Sequence, residues 1–338
     1  MNAGNEHLRG RWFVAAEAER LGAKPLAAVV LGTPLVLYRS GRSVVAAEDR
    51  CPHRNAPLSA GHVDAGRLRC PYHGWCFDAE GRCVEAPGLA DGSVPQVGLR
   101  RWTALEADGW IWVARLGVDE RLLYRPPSAV VGEAAKYRDF RMMSDVAAAL
   151  PDALENLLDG THTPFVHRGL VRSAAKQRFT AVVRRRDDVI EAEYRGERGQ
   201  AGLISRLFEP EREVSFGRFM PPCTAELEYR SRTRTELFVA AHFTPTTAGR
   251  LRVFAACYVP GGPLAAVLKH TLVRPFFRHV LKQDRAILEL QSRNLERFGG
   301  AAYVNWPADL MRPWIDAWLR DGRFPEQTDE PSAIEFLQ

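Results

Sequence analysis

Long hydrophobic runs are the first thing this chain of 338 residues lacks. No uninterrupted apolar stretch approaches the roughly 18 residues a membrane-spanning helix needs, so no membrane span is expected. Met1 to Arg11 is polar and shows no apolar core followed by a small-residue cleavage site. That argues against export and makes the cytoplasm the default compartment. Clustered basic charge is also missing. The formal net charge is only +5, with 46 Lys and Arg scattered against 41 acids, whereas nucleic-acid binding wants basic residues gathered with aromatics on one surface. Arg184-Arg185-Arg186 runs straight into Asp187-Asp188 and reads as a charged hairpin tip. No G-x-G-x-x-G follows a strand, and there is no plant-type ferredoxin cysteine set, so nothing supplies a nicotinamide or flavin site. The six cysteines of a cytosolic chain of this length are better used on metal than in disulfides.

What is present begins with Cys51-Pro-His-Arg and, after sixteen residues, Cys70-Pro-Tyr-His-Gly-Trp75. C-x-H and C-x2-H place one thiolate and one imidazole on each of two loops. The flanking Pro52, Pro57, Gly61, Pro71 and Gly74 are loop formers. Two chemistries use this donor set: a structural Cys2His2 zinc site, and a [2Fe-2S] cluster with two Cys on one iron and two His on the other. Classical zinc fingers place both Cys before both His, with a helix carrying the His pair. Here each loop has one of each. Cys76, Cys83, Cys223 and Cys257 read as ordinary buried thiols, and His62 matches no ligand position. Arg54, Arg67, Arg69 and Arg82 surround the loops, either to meet an acidic electron donor or as a solvated face.

Short strands with glycine punctuation surround this motif: Trp12–Ala16, Pro34–Tyr38, Ser43–Ala47 and Trp110–Val113, with turns at Gly32, Gly41 and Gly66. They point to an all-β module over residues 1–120, and Arg121–Pro127 reads as a connector to a second domain over 121–338. That domain opens on a second constellation, Leu150 to His167. Asp152 and Glu155 resemble a capping box, Leu154, Leu157 and Leu158 form an apolar stripe, and Asn156, Asp159 and His162 recur every third residue as a polar one. Five residues of helix would leave His162 and His167 well apart, but Pro164 disturbs the backbone between them and a broken helix can aim both rings at one point. Alone, the His pair is as compatible with a structural role as with a metal.

A third ligand for a two-His-one-carboxylate iron site is sought in the helix from Leu281 to Phe298. Its seam holds Leu281, Asp284, Leu288, Gln291, Leu295 and Phe298. A carboxylate in an apolar seam is costly unless partnered, which singles out Asp284; the competing reading is a core Asp paired with an Arg. Gln291 is either a hydrogen-bonding neighbour of such a site or a buried polar contact.

Together, C-x-H…C-x2-H, Asn156-x2-Asp159-x2-His162-x4-His167 and the late helical Asp284 resemble the oxygenase component (α subunit) of Rieske non-haem iron oxygenases, over essentially the whole chain. The resemblance implies an α+β fold: an N-terminal Rieske domain, then a helix-grip, START-like domain whose antiparallel sheet wraps a long helix. Phe179–Arg186, Val189–Tyr194 and Leu251–Val259 are suitable strands. It implies that Cys51, His53, Cys70 and His73 hold the [2Fe-2S] cluster and that His162, His167 and Asp284 bind a mononuclear Fe(II). Asp159 would link a cluster histidine of one subunit to an iron-binding histidine of its neighbour, His73 to His162, with Asn156 close to the iron. Further implications are O2 as co-substrate, electrons from NAD(P)H through a separate ferredoxin or reductase, a homotrimer, and an apolar ring-containing small molecule as substrate. The length is similar to that of the vanillate and dicamba demethylases, which favours hydroxylation or demethylation over arene dihydroxylation, and steroid hydroxylase type members are similar in organisation. The rival reading is a Rieske electron carrier whose second domain only binds a ligand. Outside these motifs, Pro263–Arg278 reads as a lid or a packing helix kinked at Pro275. Trp306, Leu310, Trp314 and Trp318 read as a packing stripe, and His242, His270 and His279 as surface or satisfied core residues.

Overall fold

The computed structural model describes residues 3–131, 137–168, 178–196, 212–260, 263–326 and 333–337; the side chains of 263–273, His270 among them, lie outside the described residues. Two compact units result, Met1–Arg125 with Thr244–Ala248, and Pro126–Phe243 with Gly249–Gln338.

The first unit is built of strands. Phe13–Glu17 (β1), Leu26–Val30 (β2), Thr33–Ser40 (β3), Ser43–Glu48 (β4), Arg101–Ala107 and Trp110–Ala114 are six, and between β4 and Arg101 four short strands intervene: His62–Asp64 (β5), Arg67–Arg69 (β6), Cys76–Phe77 (β7) and Cys83–Glu85 (β8). The two later strands are β9 and β10. They form a six-stranded sheet, β1-β10-β9-β4-β3-β2, and a four-stranded one, β5-β6-β7-β8. Alternation along β3 and β4 turns Val36, Tyr38, Val45 and Ala47 into one apolar cluster with Leu58, Leu68 and Phe77. Cys51 and Cys70 are buried in that same cluster. Burying such side chains is what anchors the two intervening loops.

The second unit carries an eight-stranded sheet. Its strands are Tyr137–Val146 (β11), Arg178–Arg186 (β12), Val189–Arg195 (β13), Val214–Met220 (β14), Thr224–Arg230 (β15), Thr235–Thr247 (β16), Arg250–Pro260 (β17) and Ala333–Leu337 (β18), in the order β11-β17-β16-β15-β14-β13-β12-β18. The helices, in chain order, are α1 (Ser128–Val131), α2 (Leu150–Leu158), α3 (Thr163–Val166), α4 (Pro263–Arg297) and α5 (Arg312–Asp321). From α4, Phe276, Phe277, Val280 and Leu281 pack on Phe140, Met142, Leu237, Val239, Cys257 and Val259 of the sheet. That is the helix-grip arrangement, and α4 continues through Pro275. Opposite parity on the strands is polar: the half-buried Arg218 donates to Glu191 at 2.7 Å and to Glu228 at 2.8 Å, compensating carboxylates that would be costly alone. Asp187 and Asp188 form the turn of the β12–β13 hairpin, as the charge pattern suggests.

Three local expectations are corrected. The N-cap of α2 is Ala149 and no side chain caps it. Asp152 and Glu155 instead accept from the buried Arg312 of α5 at 2.9 and 2.7 Å, and Tyr303 donates to Asp152 at 3.0 Å. A buried charge-assisted pair outweighs a cap worth about 1 kcal/mol. Second, α2 ends at Leu158; Asp159 is extended at φ −79°, ψ 115°, so the polar stripe leaves the helix. Third, Trp306 precedes α5 and is 67% exposed, while Trp318 is buried. The packing stripe therefore does not include it within this chain.

Candidate functional site

The two loops of the first unit share one construction. Cys51 N donates to Ala56 O and Asn55 N to Cys51 O; likewise Cys70 N donates to Trp75 O and Gly74 N to Cys70 O. Each turn passes through a residue at positive φ, Asn55 at 59° and Gly74 at 71°, which Asn and Gly tolerate best. The result sets Cys51 beside Cys70 and His53 beside His73. Cys51 and Cys70 are buried, and all six cysteines are free. The His53 and His73 rings lie 4.6 Å apart between centroids, and His53 stacks on Trp75 at 4.5 Å. His53 Nδ1 is buried without a hydrogen-bond partner, the state of an atom meant for a metal. Burial, with the Cys70 thiol beside it, pushes Cys51 up to about 11, so a bound metal must displace that proton. Arg69 is committed elsewhere, forming a bidentate pair with Glu85 at 2.8 and 2.7 Å.

In the second unit the break after α2 positions the other set. Asp159 turns out of the helix, and His162 and His167 become the residues flanking the single turn α3. Their Nε2 atoms come within 3.3 Å. Asp284 Oδ1, from α4, lies 2.9 Å from His167 Nε2 and 3.5 Å from His162 Nε2. Adjacent ligands roughly 2.1 Å from one ion and at right angles to each other would be about 3.0 Å apart. The donor set has the spacing of a facial triad.

Hydrogen bonding fixes which atoms face inward. His162 Nδ1 is 2.7 Å from the main-chain carbonyl of Asp159, and His167 Nδ1 is 2.9 Å from Gln283 Oε1. Both acceptors oblige Nδ1 to donate, so the Nε2 lone pairs converge on Asp284 Oδ1, which is buried and makes no hydrogen bond. Such a cluster demands a cation. In the metal-free chain it is a proton: burial would lower the pKa of His162, but Asp159 and Asp284 outweigh burial and raise it to about 9. Burial likewise opposes ionisation of Asp284, yet His162 and His167 hold its carboxyl below the usual range. A divalent ion supplies twice that charge and takes all three lone pairs.

The carboxylate of Asp159 accepts from the main-chain N–H of Thr161 at 2.6 Å and of His162 at 3.2 Å, and stands 3.6 Å from His162 Nδ1. Despite its burial, the Thr161 and His162 donors hold its pKa low. Asn156, Asp159 and all three triad residues line one cavity of about 150 Å³. Its other walls are mostly apolar, among them Met142, Leu227, Val239, Ala255, Phe277 and Leu288, with Ser144 and Ser215 as neutral polar groups. Gln291 does not line it; Gln283, beside Asp284, is the site residue that sequence reasoning missed. Nothing local marks it, because its partner lies 116 residues away. Of the remaining histidines, His242 is buried against Thr224 at 2.9 Å and His279 is exposed.

Comparison with known proteins fits this geometry. A model described as "Rieske [2Fe-2S] domain" matches residues 11–100, and one described as "Vanillate O-demethylase oxygenase C-terminal domain" matches residues 146–313. The chain is 35% identical over 192 residues to the oxygenase component of dicamba O-demethylase from Stenotrophomonas maltophilia, covering 55% of each. It is 34% identical over 170 residues to the vanillate O-demethylase oxygenase subunit of Pseudomonas sp. (strain HR199 / DSM 7063), covering 47% of this chain and 45% of that one. These alignments span about half the length of the curated relatives. Among solved structures, dicamba monooxygenase bound to dicamba superimposes with a TM-score of 0.80 at 26% identity, covering 92% of this chain and 96% of that one. Pseudomonas putida CBB5 NdmA with caffeine shares the fold, with a TM-score of 0.77 at 22% identity over 95% and 92% of the two chains.

Proposed function

The chain belongs to the Rieske non-haem iron oxygenases, and from that membership we propose that it is a terminal oxygenase that hydroxylates or oxidatively demethylates an apolar, ring-containing substrate. One observation carries the reading: three ligand atoms within 2.9 to 3.5 Å of one another open on an apolar cavity. In this reading Cys51, His53, Cys70 and His73 hold the [2Fe-2S] cluster, and His162, His167 and Asp284 hold Fe(II). The cluster supplies electrons and the iron activates O2.

The chain's own side chains set the conditions for that chemistry. The apolar walls exclude water and hold the ring by burial. Asn156 offers a neutral amide from the cavity wall. Asp159 orients His162 through its main-chain carbonyl, and in this reading its carboxylate links His162 to His73 of a neighbouring copy in a homotrimer. Electrons come from NAD(P)H through a separate ferredoxin or reductase. Among the described residues no helix is long and apolar enough to cross a membrane, and the cytoplasm is the compartment we propose.

Anaerobic purification followed by metal analysis tests this. Two cluster irons and one mononuclear iron per chain are expected, with a Rieske-type EPR signal after reduction. With a surrogate reductase, methoxyarene probes should release formaldehyde and the matching phenol with coupled O2 uptake. A preparation holding only zinc, or O2 uptake that yields peroxide alone with every probe, would refute the proposal. Asp159→Asn should keep all the iron yet greatly slow substrate-coupled cluster reoxidation.

A further inference from the structure

His167 has consecutive residues of one helix at its two ring nitrogens. Asp284 Oδ1 lies 2.9 Å from Nε2 and Gln283 Oε1 lies 2.9 Å from Nδ1. Consecutive helix residues project about 100° apart, so the two side chains reach opposite edges of an imidazole lying across α4. The ring is 2% exposed, so bulk water does not stand in for either partner. The two histidines are thus oriented differently: His162 by a main-chain carbonyl three residues before it, His167 by a side chain that substitution can alter.

We propose that Gln283 is a positioning residue of the metal centre: its amide oxygen holds His167 in the tautomer whose Nε2 lone pair faces the ion. This rests on the metal-binding reading above. The physical basis is that a ligating histidine donates its other N–H to an acceptor which fixes ring orientation and ligand basicity, and that loss of such an acceptor costs 10- to 100-fold in metal affinity. Gln283 is also neutral. The amide leaves His167 a neutral ligand, so the ion's charge is offset by Asp284 alone among the three ligands. A carboxylate in the same place would increase the ligand's basicity and draw the ion in more tightly.

The test uses Co(II) as the probe, added anaerobically to full-length protein that keeps its [2Fe-2S] cluster but has been stripped of mononuclear iron. The readouts are the dissociation constant and the visible d–d bands, neither of which needs turnover. Gln283→Leu has similar bulk and no acceptor; its Kd should rise about 10- to 100-fold, with shifted d–d bands reporting a reoriented imidazole. Gln283→Glu keeps the acceptor and should bind at least as tightly as wild type. Gln291→Leu, on the same helix but away from the cavity, should leave both readouts unchanged. The proposal is overturned if Gln283→Leu matches wild type in both readouts, or if Gln283→Glu binds as poorly as Gln283→Leu. A wild-type chain that takes up no Co(II) would overturn the metal centre itself, a separate result.

Discussion

Replacing Asp284 by Ala should uncouple metal from stability in the second unit. Any ion bound only by the folded chain stabilises it by RT ln(1 + [L]/Kd), about 2.7 kcal/mol when the ion is 100-fold above its Kd. For a unit of roughly two hundred residues, each kcal/mol moves Tm by about 2–4 °C. Wild type should therefore gain about 5–11 °C on adding Co(II). Asp284 supplies the single anion among three converging donors, and its removal leaves two neutral imidazoles. If affinity falls 100-fold, the same ion concentration sits at the new Kd and stabilises by only ~0.4 kcal/mol, or about 1 °C. Differential scanning fluorimetry under argon, with a chelator reversal, reads this directly. Comparing each variant with its own metal-free Tm removes any intrinsic effect of losing the pairing with His162. An equal metal-induced rise in wild type and Asp284→Ala would refute the assignment of the ion to these three residues.

Other consequences follow from single contacts. Arg312→Met leaves Asp152, whose side chain is 2% exposed, without its cation. Breaking a buried pair of this kind costs about 3–5 kcal/mol, and Tm should fall by roughly 6–20 °C; a fall under about 2 °C would show that Asp152 is served otherwise. Burial holds His242 down to about 3 from the 6.5 of an exposed imidazole. Above pH 6.5 both folded and unfolded chains carry it neutral. Below that, only the unfolded chain takes the proton, so stability should drop by about 1.4 kcal/mol per pH unit as pH falls toward 3. Urea midpoints at pH 7 and pH 5 should differ less in His242→Gln than in wild type, and parallel slopes would count against the buried neutral ring. A Cβ at Gly217 would sit 3.4 Å from Leu158 Cδ2, an ordinary contact, so Gly217→Ala should fold and bind as wild type does. Gly217→Val extends into the cavity of about 150 Å³ and should raise KM for two-ring probes more than for one-ring probes; equal effects on both would place residue 217 away from the bound ring.

The candidate ligand residues stand out in the sequence because their chemistry is distinctive and their spacing local. Cys51/His53 and Cys70/His73 announce two loops from residue type alone, and the structure closes both loops by the same pair of main-chain hydrogen bonds. The strands were legible from alternation: Pro34–Tyr38 and Ser43–Ala47 fall inside β3 and β4, and Leu251–Val259 inside β17. Pairing across long separations was not legible. Asp152 has the sequence signature of a cap, but Arg312, 160 residues away, offers a buried cation that a local rule does not see. The end of α2 was within reach, since Asp159-Gly160 is a turn signal; the three-residue periodicity of Asn156, Asp159 and His162 pointed the other way.

Gln283 and Gln291 show where a seam argument stops. A heptad seam on α4 selects positions that face a packing partner, and it selects Asp284 and Gln291 alike. The metal centre is not a seam but a point. Around a point, the residue next to the ligand matters more than the residue two turns along the same stripe, because a ring clamped from two edges needs partners at adjacent angles rather than at the same angle. His167 has Gln283 at Nδ1 and Asp284 at Nε2, whereas Gln291 does not line the cavity. The same reasoning applies to α2 and α3. A continuous helix would have kept His162 and His167 on different faces; ending α2 at Leu158 and restarting for one turn brings their Nε2 atoms to 3.3 Å. Helical periodicity located the elements, and its local failure at Asp159 is what assembled the site.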